Sequence, residues 1–519
     1  MTVARTLSVA LVGMAPHVVE VEVDVSTGIP GFTLTALADR VLKQAEQRIK
    51  AAIANSGESW PGRRVTVAMS PAAVPKSGSA FDVPIAVTAL AAAEELPAER
   101  IADLVLLGEL ALGGEVKPVS GVLPAVIGAM QSGHDRFVVP LANAQEALLV
   151  PGAKVWAVAT LGELCAWVRG FLDDDALRVE RDPLAALPPD GVPDLADVVG
   201  QDRARRALEI AAAGGHHLLM SGPPGVGKTM LAERLPGILP TLTDAEAMEV
   251  TAIHSVAGRL APGRPLISQP PFSAPHHSAS MAAVVGGGSG IAGPGEISLA
   301  HRGVLFLDEA PEFGARLLDA LRQPLESGRI VIHRSSGAAT YPAQFLLVLA
   351  ANPCPCSAGG QSVDERQCVC PPAVRGRYQS RLSGPLRDRI DLYVELERVS
   401  RRVLAENVEG EASAVVRERV EAARVRARER LAGTKWMVNG DVPGPVLRRR
   451  WPIAAQVLRP VSRAADQGRL STRGIDRVLR VAWTLADLAA VDRPGAEHVE
   501  EALEFRLGRR NPRPVAVSA

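Results

Sequence analysis

Apolar and polar positions change their period along this chain, and the changes mark out its elements. HHLLMSG (216–222), GVLFLDE (303–309) and QFLLVLAAN (344–352) are short apolar runs closed by turn residues, as buried parallel strands should be. Upstream, VVEVEVDV (18–25) and RVTVAMS (64–70) read as strands, with LVLLGELAL, RFVVP and VWAVAT as further candidates. RVLKQAEQRIKAAIANSG (40–57) has helical spacing and ends at Gly57. Beyond IDLYVELERVS the pattern becomes helical. VVRERVEAARVRARERLAG (415–433) is amphipathic, and STRGIDRVLRVAWTLADLAAV (471–491) can be capped by Ser471 or Thr472. An acidic, proline-rich stretch, FLDDDALRVERDPLAALPPDGVPDL, predicts a linker over 171–195. No fixed-period repeat is present. The pattern predicts a mixed α/β unit over 1–170, a second α/β unit over 196–398 and a helical unit over 399–519.

Composition agrees with several cores and adds a charge asymmetry. A chain of 519 residues with 47% hydrophobic content is too long for one core and too apolar for global disorder. The formal net charge is zero, so affinity for a polyanion must come from local patches. Residues 371–519 carry 28 Arg and one Lys against 19 acidic residues, which is +10 and leaves −10 for the remainder. Aromatics at 3% give little support for a base-stacking platform. No secretory leader is legible at the start, and FLLVLAA (345–351) is far too short to span a bilayer, so a cytoplasmic, non-membrane protein is expected.

The strongest chemical signal is GPPGVGKT (222–229), between an apparent strand and a helix. Gly222, Pro223, Pro224, Gly225, Val226 and Gly227 would wrap phosphates with backbone N–H groups, and the following helix adds its dipole. Lys228 supplies a point charge to the outer phosphates and Thr229 a hydroxyl ligand for Mg²⁺. About eighty residues later VLFLDE ends in two carboxylates: Asp308 suits Mg²⁺, and Glu309 suits the base that orients the attacking water. Asn352 ends the next apolar run, within reach of that water or the outermost phosphate. Arg389 precedes a strand, where an arginine finger would reach a neighbour's nucleotide, with Arg387 as its competitor. Arg473 is a candidate γ-phosphate sensor. Each of these arginines alone would read as a surface charge.

Four of the five cysteines fall in seventeen residues: Cys354, Cys356, Cys368 and Cys370. Two close pairs on a short loop can close a tetrahedral four-thiolate zinc site, with a redox pair or plain thiols as alternatives. The fifth, Cys165 beside Trp167, reads as a small core residue.

Long strings here resemble the magnesium-chelatase-like AAA+ proteins of the YifB/ComM family over nearly the whole chain. They are residues 197–240 around the phosphate loop, PGEISLAHRGVLFLDEAPEF (294–313), NPCPC and RLSGPLRDRID. The resemblance implies an AAA+ P-loop core with a helical C-terminal lid, preceded by a Lon-protease-like α+β domain. It also implies ATP and Mg²⁺ as cofactors, a homo-hexamer, and DNA (duplex, single-stranded or branched) as the partner of a branch-migration or helicase-like motor. Residues 279–303 look like an insert in helix 2, and 325–353 like a pre-sensor hairpin that would carry His333 and Arg334 to DNA. In the Lon-like pattern the nucleophile position falls on Ala80, with Ser79 one residue early, and the partner lysine position falls on Leu123. Both halves of a Ser–Lys dyad are missing, so this domain is expected to bind or assemble. Two rivals remain: a chelatase-type motor acting on a protein partner, and a nucleotide-gated scaffold.

Overall fold

The computed structural model describes residues 2–35, 44–76, 78–180, 191–261, 265–288, 291–334, 337–358, 370–399, 402 and 410–508. The N-terminal unit is built on a long hairpin of β1 (Thr2–Val12) and β2 (Ala15–Ser26), paired antiparallel from Thr2↔Val25 to Val12↔Ala15. Alternation drives it: Val19, Val21, Val23 and Val25 are buried on one face of β2. The run at 18–25 is thus the middle of a longer strand, and β1 carries no signal that was read from the sequence.

Five more strands complete the sheet: β3 (Gly31–Thr35), β4 (Arg64–Ser70), β5 (Val105–Leu106), β6 (Arg136–Pro140) and β7 (Lys154–Val158). Their order is β3-β4-β2-β1-β5-β6-β7. The expected single strand LVLLGELAL breaks at Gly108, and Glu109–Leu110 pairs with Val116–Lys117 in a small hairpin instead. Helices α1 (Ala45–Asn55) and α2 (Asp82–Ala92) pack into one core with Leu164, Cys165 and Trp167. All eleven residues of α2 are buried. The predicted helix at 40–57 is realised over 45–55, its residues 40–43 lying outside the described ones. α3 (Val122–Gln131) belongs to a second cluster with Val9, Val105 and Ala252.

The ends of the expected linker are packed. Leu177 joins the N-terminal core, Asp174 accepts a hydrogen bond from Trp167 Nε1 at 2.9 Å, and Leu195 is buried in the next core. Arg178 forms an antiparallel bridge with Trp156 at the edge of the N-terminal sheet, while Phe171 is exposed; residues 181–190 lie outside the described ones.

The second unit is a parallel sheet of β8 (Leu218–Ser221), β9 (Phe272–Ser273), β10 (Val304–Leu307), β13 (Leu346–Ala351) and β14 (Leu392–Glu395), ordered β9-β10-β13-β8-β14. Between β10 and β13 the chain makes the hairpin β11 (Arg329–Arg334) and β12 (Gly337–Pro342). Helix α4 (Asp202–Gly214) runs into β8, and α5 (Asp244–Val256) precedes β9. The C-terminal helices α6 (Ser413–Arg430), α7 (Thr472–Leu488) and α8 (Ala496–Leu507) share one core with α4 and the sheet. Ser471 is the cap of α7, its Oγ accepting from Gly474 N at 3.1 Å. These helices reach the edge where the strands begin: His216 Nε2 lies 2.7 Å from Thr484 Oγ1.

The two units are joined through α5. Buried Glu146 accepts from Leu123 N at 2.8 Å and from Ser255 Oγ, and Gly121 N donates to Ser255 O at 3.0 Å. The β1–β2 turn also meets the β11–β12 hairpin. At Gly13, where φ is +64°, a Cβ would lie 3.2 Å from that of Ala339, so only glycine permits this approach without displacement.

The candidate nucleotide site

The loop 222–229 leaves β8 and turns into the helix Lys228–Glu233. Gly225 and Gly227 take φ of +76° and +93°, which lets successive N–H groups face inward. Lys228 is buried at 7% exposure and donates to Gly222 O at 2.7 Å, Pro223 O at 3.0 Å and Asn352 Oδ1 at 2.9 Å. Burial holds its pKa below that of an ordinary lysine, against the pull of Asp308 and Glu309. Thr229 Oγ1 donates to Asp308 Oδ2 at 2.6 Å, so the two oxygen donors suited to Mg²⁺ already meet. Asp308 Oδ1 accepts from Glu309 N at 2.8 Å. The structure thus brings Lys228, Thr229, Asp308, Glu309 and Asn352 to the ends of β8, β10 and β13.

Sequence reasoning missed His277. It follows β9, the neighbour of β10, and its Nδ1 lies 3.4 Å from Glu309 Oε2. Glu309 itself sits in the left-handed region, with φ of +50°. The His276 ring stands 4.1 Å from that of His277. The paired histidines after a two-residue strand were the only sequence signal.

The arginines lie elsewhere. β14 runs parallel to β8, with Leu218↔Leu392 and Ser221↔Glu395. The phosphate loop follows the end of β8, whereas Arg389 precedes the start of β14. A four-residue strand therefore separates the two edges, roughly 13 Å at 3.3 Å per residue. Arg389 donates to Pro385 O at 2.6 Å and to Glu326, and its buried Nε has no partner. Burial, then Arg322, Arg473 and Arg477, hold its pKa below that of an ordinary arginine. Arg473, 70% exposed, lies 4.0 Å from Asp388. Arg387 is exposed.

On the hairpin, His333 and Arg334 are exposed, paired across to Ala338 and Gly337. Tyr341 of β12 donates to Ala292 O at 2.6 Å, tying the hairpin to the 286–294 segment. Cys354, Cys356 and Cys370 place their sulfurs within 4.8 Å of one another, while Cys368 lies outside the described residues. Cys165 is buried, and burial pushes its thiol up to about 12. In the N-terminal unit, Ser79 donates to Glu109, and Lys76 is buried against Pro71 O. No described helix is long and apolar enough to cross a membrane.

A phosphate loop, an Asp-Glu strand end and this strand order define a magnesium-chelatase-like AAA+ nucleotide-binding unit, for which ATP and Mg²⁺ are the implied ligands. Family signatures described as "Magnesium chelatase, subunit ChlI", "Subunit ChlI of Mg-chelatase" and "Magnesium chelatase, subunit ChlI C-terminal" match residues 194–404, 21–143 and 410–506. An uncharacterised protein of Mycobacterium tuberculosis is 50% identical over 506 residues, covering 98% of this chain and 99% of that protein. YifB of Escherichia coli is 41% identical over 498 residues (96% of each), and the competence protein ComM of Haemophilus influenzae 40% over 508 (98% of each). The chain belongs to the YifB/ComM family. A short likeness, 31% over 96 residues or 18% of the chain, links it to Lon protease 2 of Bacillus subtilis.

Proposed function

We propose that this chain is the subunit of a homo-hexameric ring that hydrolyses ATP between subunits and uses it to move DNA, as a branch-migration or helicase-like motor. The separation of Lys228 from Arg389 and Arg473 across the sheet carries the reading: nucleotide held by one chain meets arginines of the next. Lys228 and the loop amides hold the phosphates. Thr229 and Asp308 would hold Mg²⁺, which would supply neutralising charge to the phosphate oxygens. Glu309 accepts the proton of the attacking water, and Asn352 orients water or phosphate. Arg389 and Arg473 of the neighbour stabilise the charge developing at the γ-phosphate.

Support for DNA comes from the exposed His333 and Arg334 at the hairpin end, from the +10 charge of residues 371–519, and from the name competence protein carried by a full-length relative. The test is steady-state ATP turnover with and without duplex, single-stranded and four-way-junction DNA, beside Lys228→Ala. Several-fold stimulation by one DNA, absent in the variant, is expected. Turnover indifferent to every DNA would transfer the reading to a motor acting on a protein partner.

We further infer that Cys354, Cys356 and Cys370, together with Cys368, which lies outside the described residues, bind structural zinc. The 4.8 Å spread of Cys354, Cys356 and Cys370 suits thiolates around an ion with bonds of about 2.3 Å, and Cys354 stands two residues after Asn352. Purified protein should carry about one zinc per chain by elemental analysis. Cys370→Ser should lower that content, and metal-free protein with the cluster's four thiols free to titrate would reject the assignment.

A further inference from the structure

Below the edge where β8, β10, β13 and β14 begin, the C-terminal helices enclose a cavity of about 600 Å³, within the range of small-molecule sites. It lies away from the phosphate loop, and neither Arg389 nor Arg473 lines it. Its walls carry six cations and four carboxylates, but most of the acids are already engaged. Asp391 is held by Arg477 at 3.0 Å, Glu246 by Arg302 at 3.4 Å, and Glu326 by Arg389. That leaves Arg424, Arg428, Lys435 and Arg480 facing one carboxylate, Asp441. None of these four makes an ion pair among the described residues, and Arg480 Nε is buried without any hydrogen-bond partner. Arg424 spends Nε and Nη2 on a single carbonyl, Ala212 O, at 2.9 and 2.7 Å.

Concentrating like charges under a cover costs free energy unless something of opposite sign enters. Burial first, then neighbouring arginines, lower the pKa of both Arg424 and Arg480 to about 10, as expected where positive charge is under-compensated. Guanidinium groups match phosphate oxygens in geometry. Half-buried Trp436 and buried Phe345 in the same wall offer flat apolar surface to a base.

We propose that this cavity is a second, non-catalytic site for a small phosphate-bearing anion of nucleotide size, held by Arg424, Arg428, Arg480 and Lys435. It is independent of the DNA reading and of turnover at the phosphate loop.

The experiment uses the full-length Lys228→Ala protein, which removes the lysine of the phosphate loop, in equilibrium dialysis with labelled ADP and, separately, pyrophosphate. Saturable binding of about one anion per chain is expected, weakened about tenfold or more by Arg428→Glu with Lys435→Glu. Both residues are exposed, so their reversal spares the core. A preference for ADP assigns the flat wall to a base, whereas equal binding of pyrophosphate assigns the site to phosphate alone; both support it. No saturable binding, or binding indifferent to the charge reversal, overturns the proposal. So does binding confined to an oligonucleotide run in parallel. Because catalysis is not measured, failure here leaves the motor reading untouched.

Discussion

Lys228 spends its donors on two backbone carbonyls and Asn352, all weaker acceptors than a phosphate oxygen, so nucleotide should redirect it with little other movement. Lys228→Ala should therefore lose ATP binding. Glu309→Gln keeps the shape and removes the proposed base, so turnover should fall about 10²-fold or more with nucleotide affinity largely retained, measured by single-turnover hydrolysis beside a binding titration. His217 gives a pH signature. Burial, with Arg477, His216 and Arg480 adding to it against Asp391, drives its pKa from 6.5 down to about 4. The unfolded chain then binds the extra proton below pH 6.5. Stability is full above that pH and drops as pH falls toward 4, by about 2 kcal/mol at pH 5. Urea melts should show this slope, and His217→Gln should flatten it. The candidate phosphate loop was legible because the chemistry it suits demands one short spacing. His277 was not, since it meets Glu309 only through the pairing of β9 with β10, thirty-two residues apart in sequence.

At the level of elements, the hairpin and the paired residues Gly286–Gly287 and Gly293–Pro294 form one piece. Tyr341 bonds Ala292, Ile332 packs with Val284 in the same core, and Gly13 braces Ala339 from the N-terminal unit. Removing the Tyr341 hydroxyl leaves Ala292 O without its buried donor, so Tyr341→Phe should cost about 1–3 kcal/mol in denaturant unfolding. Arg334→Ala acts differently: DNA affinity should fall across all sequences, with the slope of log affinity against log salt smaller by about one. The strands of the nucleotide unit were readable because burial on both faces leaves continuous apolar runs. β1 was not read, although it pairs along its whole length with β2, because TVARTLSVALV mixes polar and apolar residues. Two of those polar residues, Thr6 and Ser8, are buried after all, satisfied by the carbonyls of Ile101, Leu104 and Leu106.

For the whole molecule, the trans reading makes a sharp prediction about mixtures. Lys228→Ala and Arg389→Ala should each be inactive alone. Mixed in equal parts they should regain about a quarter of wild-type interfaces, since one variant supplies the loop and the other the finger. Two inactive proteins that stay inactive after co-assembly would place the arginine's work within its own chain. The same geometry bears on fuel economy. With the binding loop on one edge of the sheet and Arg389 on the other, a solitary copy carries two unmatched halves. ATP consumption would then rise steeply with protein concentration, stray copies would idle instead of draining the nucleotide pool, and a member lacking either half would silence only the junction on that side.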